Sequence, residues 1–248
     1  AIATVILPNL SRHHAASSVE AYSQTLDWAL RMVLLIAIPA AAALMLLAEP
    51  ILATLFLYGE VMTPRDMSMA TLSLRAYSLG LVAFMLIKVL APGFFARQDM
   101  RTPVRIGVIA MVSNMALNLI LVIPLHFYWQ VGHVGLALAT SLSAFLNALL
   151  LFLALRSKAI YLPGTAWMHF MVTLLLAVTL MVVTLAWLGG QFDAFDASLW
   201  QQLDWWQRSS SVACICLGGF AVYMAILGVG GMRLSDLKGP AKATTSGD

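Results

Sequence analysis

Apolar residues fill six long stretches of the chain: Trp28–Leu47, Met67–Ala91, Val104–Pro124, Val134–Leu155, Ala166–Leu188 and Val212–Met232. Each runs for 20 residues or more, enough to cross a hydrocarbon layer of about 30 Å at about 1.5 Å per residue. Charge, Pro or Gly bounds each one. None alternates apolar with polar positions, as a barrel strand must. A backbone without water has to bond within its own segment. The pattern therefore predicts an all-α integral membrane protein, a polytopic helical bundle. Pro39 falls inside the first span and predicts a kink. Glu49-Pro50 starts a shorter run to Tyr58-Gly59; Pro at its first turn and Gly past its end predict a short separate helix. The longest connection is 189–208. Leu199, Trp200, Leu203 and Trp206 share one helical face there, which predicts a short helix lying on the membrane surface or capping the bundle.

Composition strengthens this picture. Of 248 residues, 61% are hydrophobic and 10% charged, against roughly 45–50% and about 25% in soluble domains. That excludes a cytosolic enzyme, a secreted disulfide scaffold and a disordered chain. The two cysteines, Cys214 and Cys216, lie two apart in an apolar run, point to different faces, and read as small apolar filler. The opening Ala1–Leu10 has no basic leader pattern and reads as the end of a helix cut off from an upstream part.

The net charge of +3 has a direction once it is mapped onto the spans. One set of connections carries Arg12, Arg31, Arg97, Arg101, Arg105, Arg156, Lys158, Arg233, Lys238 and Lys242; the alternate set carries Arg65 and Arg208. The positive-inside rule then places the 11–27 loop and the 233–248 tail in the cytoplasm. The spans group as 28–155, four helices, and 166–232, two more. The basic residues read as topology signals, and no nucleic acid partner is expected. Tyr128, Trp129, Tyr161, Trp167 and Trp187 sit at span ends, where amphipathic rings favour the headgroup level.

Inside the spans the polar residues are few. No acid lies deep in one, so this stretch lacks the clustered carboxylates of a Mg²⁺-dependent prenyl-phosphate enzyme and the buried acid of a carboxylate-driven pump. No Ser/His/Asp arrangement or phosphate loop occurs, and no enzyme activity is expected. Arg75 stands about 12 Å along its helix from the outer end. Ser68, Thr71, Arg75 and Ser78 form one stripe that continues inward as apolar Val82, Met85 and Val89. Such a stripe opens outward. Its guanidinium suits a phosphate or pyrophosphate, or reaches the outer headgroups. Lys88 lies on another face near Pro92-Gly93, facing a cavity or reaching the inner interface. Asn114 and Asn118 share a face of the third span, and Thr140, Ser143 and Asn147 a face of the fourth. Their depths match, so the two seams can meet, either as interhelical hydrogen bonds or as a Na⁺ site.

One inner connection is distinctive: Ala91-Pro92-Gly93-Phe94-Phe95-Ala96-Arg97-Gln98-Asp99-Met100-Arg101-Thr102-Pro103-Val104. Its Pro, aromatic pair, basic residue, Asp and Thr-Pro (Pro92, Arg97, Asp99, Thr102, Pro103) resemble the corresponding loop of the MurJ (MviN) family of lipid II flippases. Ala3-Thr4-Val5-Ile6-Leu7-Pro8-Asn9-Leu10-Ser11 and the run from Glu49-Pro50-Ile51 to Leu55-Phe56 and Tyr58-Gly59 are also similar to that family.

The resemblance implies the second lobe of a transporter of the multidrug/oligosaccharidyl-lipid/polysaccharide (MOP) superfamily, with two C-terminal helices. The missing N-terminal lobe would be its partner. The implied function is passage of lipid II, a peptidoglycan precursor of cell-wall biogenesis, across the bacterial inner membrane by alternating access. Arg75 and Lys88 would face the central cavity, and the spans at 166–188 and 212–232 would line a groove for the lipid tail. Asn114, Asn118 and Thr140 would lie where a sodium ion could bind, so Na⁺ or the membrane potential would drive the cycle, with no other cofactor. The rival readings are a polysaccharide-lipid or drug exporter of the same superfamily and a non-transporting scaffold of the cell-wall machinery.

Overall fold

The computed structural model describes residues 19–56, 63–158, 161, 167–196, 200 and 203–231. The expected helix end at 1–10, Tyr58-Gly59 and the 233–248 tail fall outside them. Among the described residues, six helices follow in order: α1 Val19–Phe56, α2 Pro64–Phe95, α3 Arg101–Trp129, α4 Gly132–Ser157, α5 Trp167–Gln191 and α6 Trp205–Val229. All six are long and apolar enough to cross a membrane. The chain is an all-α polytopic membrane protein.

The helices pack in the order α3, α4, α2, α1, with the α5–α6 pair against α1. α2 packs on α1 along one side and on α4 along the other, α4 carries α3 on its far side, and α5 and α6 pair and lean on α1. One core joins Leu26, Ala29 and Val33 of α1 to Leu90 and Phe94 of α2 and Leu151 and Leu155 of α4. A second joins Leu47 of α1 to Leu174 and Leu185 of α5 and Ile215 and Leu227 of α6.

Small residues set the spacing between these helices. A Cβ on Gly80 would stand 2.6 Å from Ser141 Oγ, and that hydroxyl donates to the Ala76 carbonyl at 2.7 Å. A Cβ on Gly135 would meet the Leu121 backbone at 3.0 Å. Without a hydrophobic drive between helices in lipid, such close contact is what holds them. Capping sets the helix starts: Thr63 and Asp66 form a reciprocal box at α2 with Pro64 behind it, and Asp204 and Gln207 do the same at α6.

Several boundaries differ from the sequence reading, for one reason. Apolar runs mark the hydrocarbon part of a helix and miss its polar ends. α1 starts at Val19, so residues 19–27 of the expected 11–27 loop are helical, and Arg31 lies within a helix. The run from Glu49 is no separate helix. α1 continues through Pro39 and Pro50 to Phe56, with Thr54 Oγ1 bonded to the Pro50 carbonyl. The 189–208 connection is shorter than expected because α6 begins at Trp205. Trp200 is 1% exposed and packs in the second core, in line with the capping alternative, while Trp206 lies in the first turn of α6; the two do not share one surface helix. Leu199 lies outside the described residues. Tyr128, Trp129 and Trp187 are exposed at the end of the bundle away from Arg97 and Arg156, as rings at a membrane interface should be.

Candidate functional site

A groove with a volume of about 520 Å³ lies between α1, α5 and α6. Met32, Leu35, Ile36, Pro39, Ala40 and Ala43 line it from α1. Met181 and Leu185 come from α5, and Cys216, Phe220, Tyr223, Met224 and Leu227 from α6. Not one of these side chains is charged. Ala40 and Ala43 are small members of that lining, and α5 and α6 rest on α1 through few residues. Such a surface is apolar and offers no charge to an anionic group.

The polar stripe of α2 is divided between surroundings. Thr71 and Ser78 are buried at 4% and 2% exposure. Ser78 Oγ donates to its own helix at Leu74, a common way for a serine to sit in an apolar seam. Thr71 Oγ1 has no partner among the described residues. Ser68 is exposed and bonded to the Arg65 carbonyl. Arg75 is half-buried, and its Nε donates to the Met45 carbonyl of α1 at 3.2 Å. Arg75 thus meets α1, while the rest of the stripe is partly buried and partly exposed, so it does not line a single open channel. Arg75 has no carboxylate partner among the described residues. Lys88 is exposed on α2 and has no ion pair among them.

The motif loop is a structural tie. Pro92 lies inside α2. Asp99 accepts from the Thr102 backbone N–H at 3.0 Å and from Thr102 Oγ1 at 2.7 Å. Lys158, just past α4, reaches Asp99 Oδ2 at 2.5 Å and Thr102 Oγ1 at 2.9 Å. Thr102 and Pro103 occupy the first turn of α3. Arg97 lies in the turn between the helices and Arg101 opens α3. The Lys158 and Thr102 hydrogen bonds hold the Asp99 carboxyl well below the usual carboxylate range. The sign follows: a depressed value means that the tie is fully formed above the ordinary carboxylate range and is lost only as the pH falls through the lowered one. Asp99→Asn should loosen the loop and raise tryptic cleavage at Arg97 and Arg101 roughly two- to five-fold, the scale of one exposed ion pair. Unchanged cleavage would remove this role from Asp99.

The two amide seams meet as their depths require. Asn114 Nδ2 donates to Ser143 Oγ at 3.2 Å, and Asn118 Nδ2 to Asn114 Oδ1 at 3.2 Å. Thr140 Oγ1 donates back to Leu136. Asn118 Oδ1 is buried without a donor. The seam therefore holds two orphaned oxygens, Asn118 Oδ1 and Asn147 Oδ1, and no carboxylate, and no metal-binding group of His, Cys, Asp or Glu occurs among the described residues.

One cluster is absent from the sequence reading. Asp27, on α1, accepts from Tyr161 Oη at 2.6 Å and from Trp167 Nε1 at 2.5 Å. Its other oxygen pairs with Arg31 at 2.8 Å. The Arg31 guanidinium sits over the rings of Trp167 at 5.2 Å and Phe170 at 5.6 Å. Burial first, then the Asp27 carboxylate, pushes the Tyr161 phenol above its usual range, so it remains a donor. The cluster joins the basic end of α1 to the α4–α5 connection and to α5. The available signal was the i, i+4 spacing of Asp27 and Arg31. Cys214 and Cys216 are free and exposed, so neither is core filler; Cys216 lines the groove.

Comparison with known proteins adds the following. A family model described as lipid II flippase MurJ matches residues 1–199. A probable lipid II flippase MurJ of Vibrio cholerae is 47% identical over 96% of this chain and 43% of its own length. That of Haemophilus influenzae is 41% identical over 94% and 44%. The lipid II flippase MurJ of Burkholderia cenocepacia is 38% identical over 98% and 45%. The chain thus spans less than half the length of these curated relatives.

Proposed function

The chain belongs to the lipid II flippase MurJ family, and on that premise we propose that it forms one lobe of a protein that carries lipid II from the inner to the outer leaflet of the bacterial inner membrane. The observation that carries this reading is the uncharged groove of α1, α5 and α6. A lipid-linked sugar has two parts with opposite needs. Its polar head would lose its water in hydrocarbon, at about 2–7 kcal/mol for each unpaired group. Its tail needs no protection at all. A transporter can solve both by moving the head through a cavity between two lobes while the tail stays in a side groove.

The remaining parts take roles within that scheme. The Met45 carbonyl fixes Arg75 through Nε alone, and its Nη donors take the pyrophosphate. Lys88, exposed on the same helix, adds a second positive charge to the cavity that α2 shares with the N-terminal lobe. The basic connections face the cytoplasm. Asn118 Oδ1 and Thr140 Oγ1 are the oxygens this chain would offer a coupling Na⁺; without a carboxylate they make a weak site. Membrane potential acting on Arg75 and Lys88 needs nothing further, at about 2.3 kcal/mol per charge per 100 mV. The chain supplies no covalent chemistry.

Rescue of cells depleted of their own lipid II flippase tests the proposal directly. The full-length protein should restore growth, and Arg75→Ala should abolish that rescue at normal abundance in the membrane. Failure of the unsubstituted protein to rescue would overturn the function. Full rescue by an Arg75→Ala, Lys88→Ala double variant would remove both residues from the substrate path.

A further inference from the structure

A tyrosine hydroxyl lies in the wall of a groove that has no other use for a polar atom. Tyr223 is 4% exposed, and its hydroxyl donates to the Leu35 carbonyl of α1 at 2.7 Å. Four residues past Leu35, the helix holds Pro39. In an α-helix the N–H of residue 39 would bond the carbonyl of residue 35; proline has no N–H. The Leu35 carbonyl is therefore the one α1 acceptor that this proline leaves open. All three residues line the groove, where no water is at hand to bond it.

We propose that Tyr223 is a positioning residue of the groove. It docks α6 onto the acceptor that Pro39 frees, and this bond sets the spacing of the groove's α1 and α6 walls. The proline and the tyrosine then form one device, a polar socket in α1 and a plug in α6. The partner that the device serves is a polyprenyl or other long hydrocarbon tail. That clause rests on the function proposed above; the socket itself does not.

The arrangement makes a specific demand. Tyr223→Phe leaves the Leu35 carbonyl unpaired and frees the walls to part. In a Pro39→Ala background the helix supplies its own N–H, so the same change should matter little. The test uses the full-length protein in lipid nanodiscs, with Cys214 and Cys216 replaced by Ala and a cysteine pair at Ile36 and Met224 across the groove. The readout is the rate of linkage by a short bifunctional thiol reagent. Tyr223→Phe should slow linkage about three-fold or more, the scale of one interhelical hydrogen bond in a bilayer. The Pro39→Ala, Tyr223→Phe protein should match Pro39→Ala alone. An equal effect of Tyr223→Phe in both backgrounds, or none in the proline background, would overturn the socket. Should Tyr223→Phe fail to accumulate, recovery by Pro39→Ala supports the proposal and continued failure refutes it. A photoreactive prenyl phosphate supplies the second arm. It should label α1 and α6 of the unsubstituted protein, lose label in Tyr223→Phe and regain it in the double variant. Absence of label from the unsubstituted groove would refute the tail as its occupant, while the linkage rates still decide the socket.

Discussion

Replacing Ala40 with Trp should cut lipid II transport at least ten-fold while leaving the protein in the membrane at its normal level. Ala40 lines the groove from α1, between Ile36 and Ala43, and an indole there occupies the space a tail would use. The physical reasoning separates position from affinity. Lipid tails are as apolar as the groove, so a bound tail gains almost no hydrophobic free energy over a free one. On the proposed function, what the groove would supply is a place, keeping the head aligned with the path between the lobes. Losing the place acts on the rate, and ten-fold is about 1.4 kcal/mol on the barrier. Val183→Trp, on an exposed position of α5, adds the same bulk outside the groove and should transport normally. Measured flipping in liposomes checks both. Equal rates for Ala40→Trp and the unsubstituted protein would put the tail elsewhere.

The largest effect on stability should come from Asp27→Ala, at about 3 kcal/mol in thermal or denaturant unfolding. Asp27 takes two hydrogen bonds and one ion pair, and its side chain is only 16% exposed. Removing it strands three groups at once. Arg31 becomes a largely buried charge without a counterion, the situation in which breaking one partner costs about 3–5 kcal/mol when burial is complete. Tyr161 and Trp167 lose their acceptor. Arg31→Ala should be milder, because Asp27 keeps both neutral donors, and Asp27→Asn milder again than Asp27→Ala, because an amide oxygen still accepts. The order of the three is the test. An Arg31→Ala protein less stable than Asp27→Ala would mean that the cation on the aromatic faces, and not the carboxylate, holds this corner together.

These two cases also show what the amino-acid order discloses. The six spans were legible, because burial in lipid leaves long apolar runs. The meeting of Asn114 with Ser143 was legible too, since helical rise alone fixes relative depth. The groove was not. Its lining comes from three helices nearly two hundred residues apart in sequence, Met32 to Leu227, and only packing brings them together. Asp27 was missed for a local reason: an acid one residue before an apolar run looks like a loop, whereas α1 carries its helix eight residues further back, to Val19. Periodicity put the stripe through Arg75 on one face but could not say what its members meet. Thr71 and Ser78 are buried, and Arg75 bonds the Met45 carbonyl of α1.

The contact at Gly80 has a consequence for how this lobe can move. With Ser141 seated against that glycine and bonded to Ala76, and with Gly135 against the Leu121 backbone, there is no slack for α2 to slide past α4 or α4 past α3. A step of one helical turn, about 5.4 Å, would drive larger side chains into both glycine notches. The three helices therefore travel as a single slab, and shape change must be taken up at its borders. One border is the contact of α2 with α1, beyond which α1 meets the α5–α6 pair through a lightly packed seam.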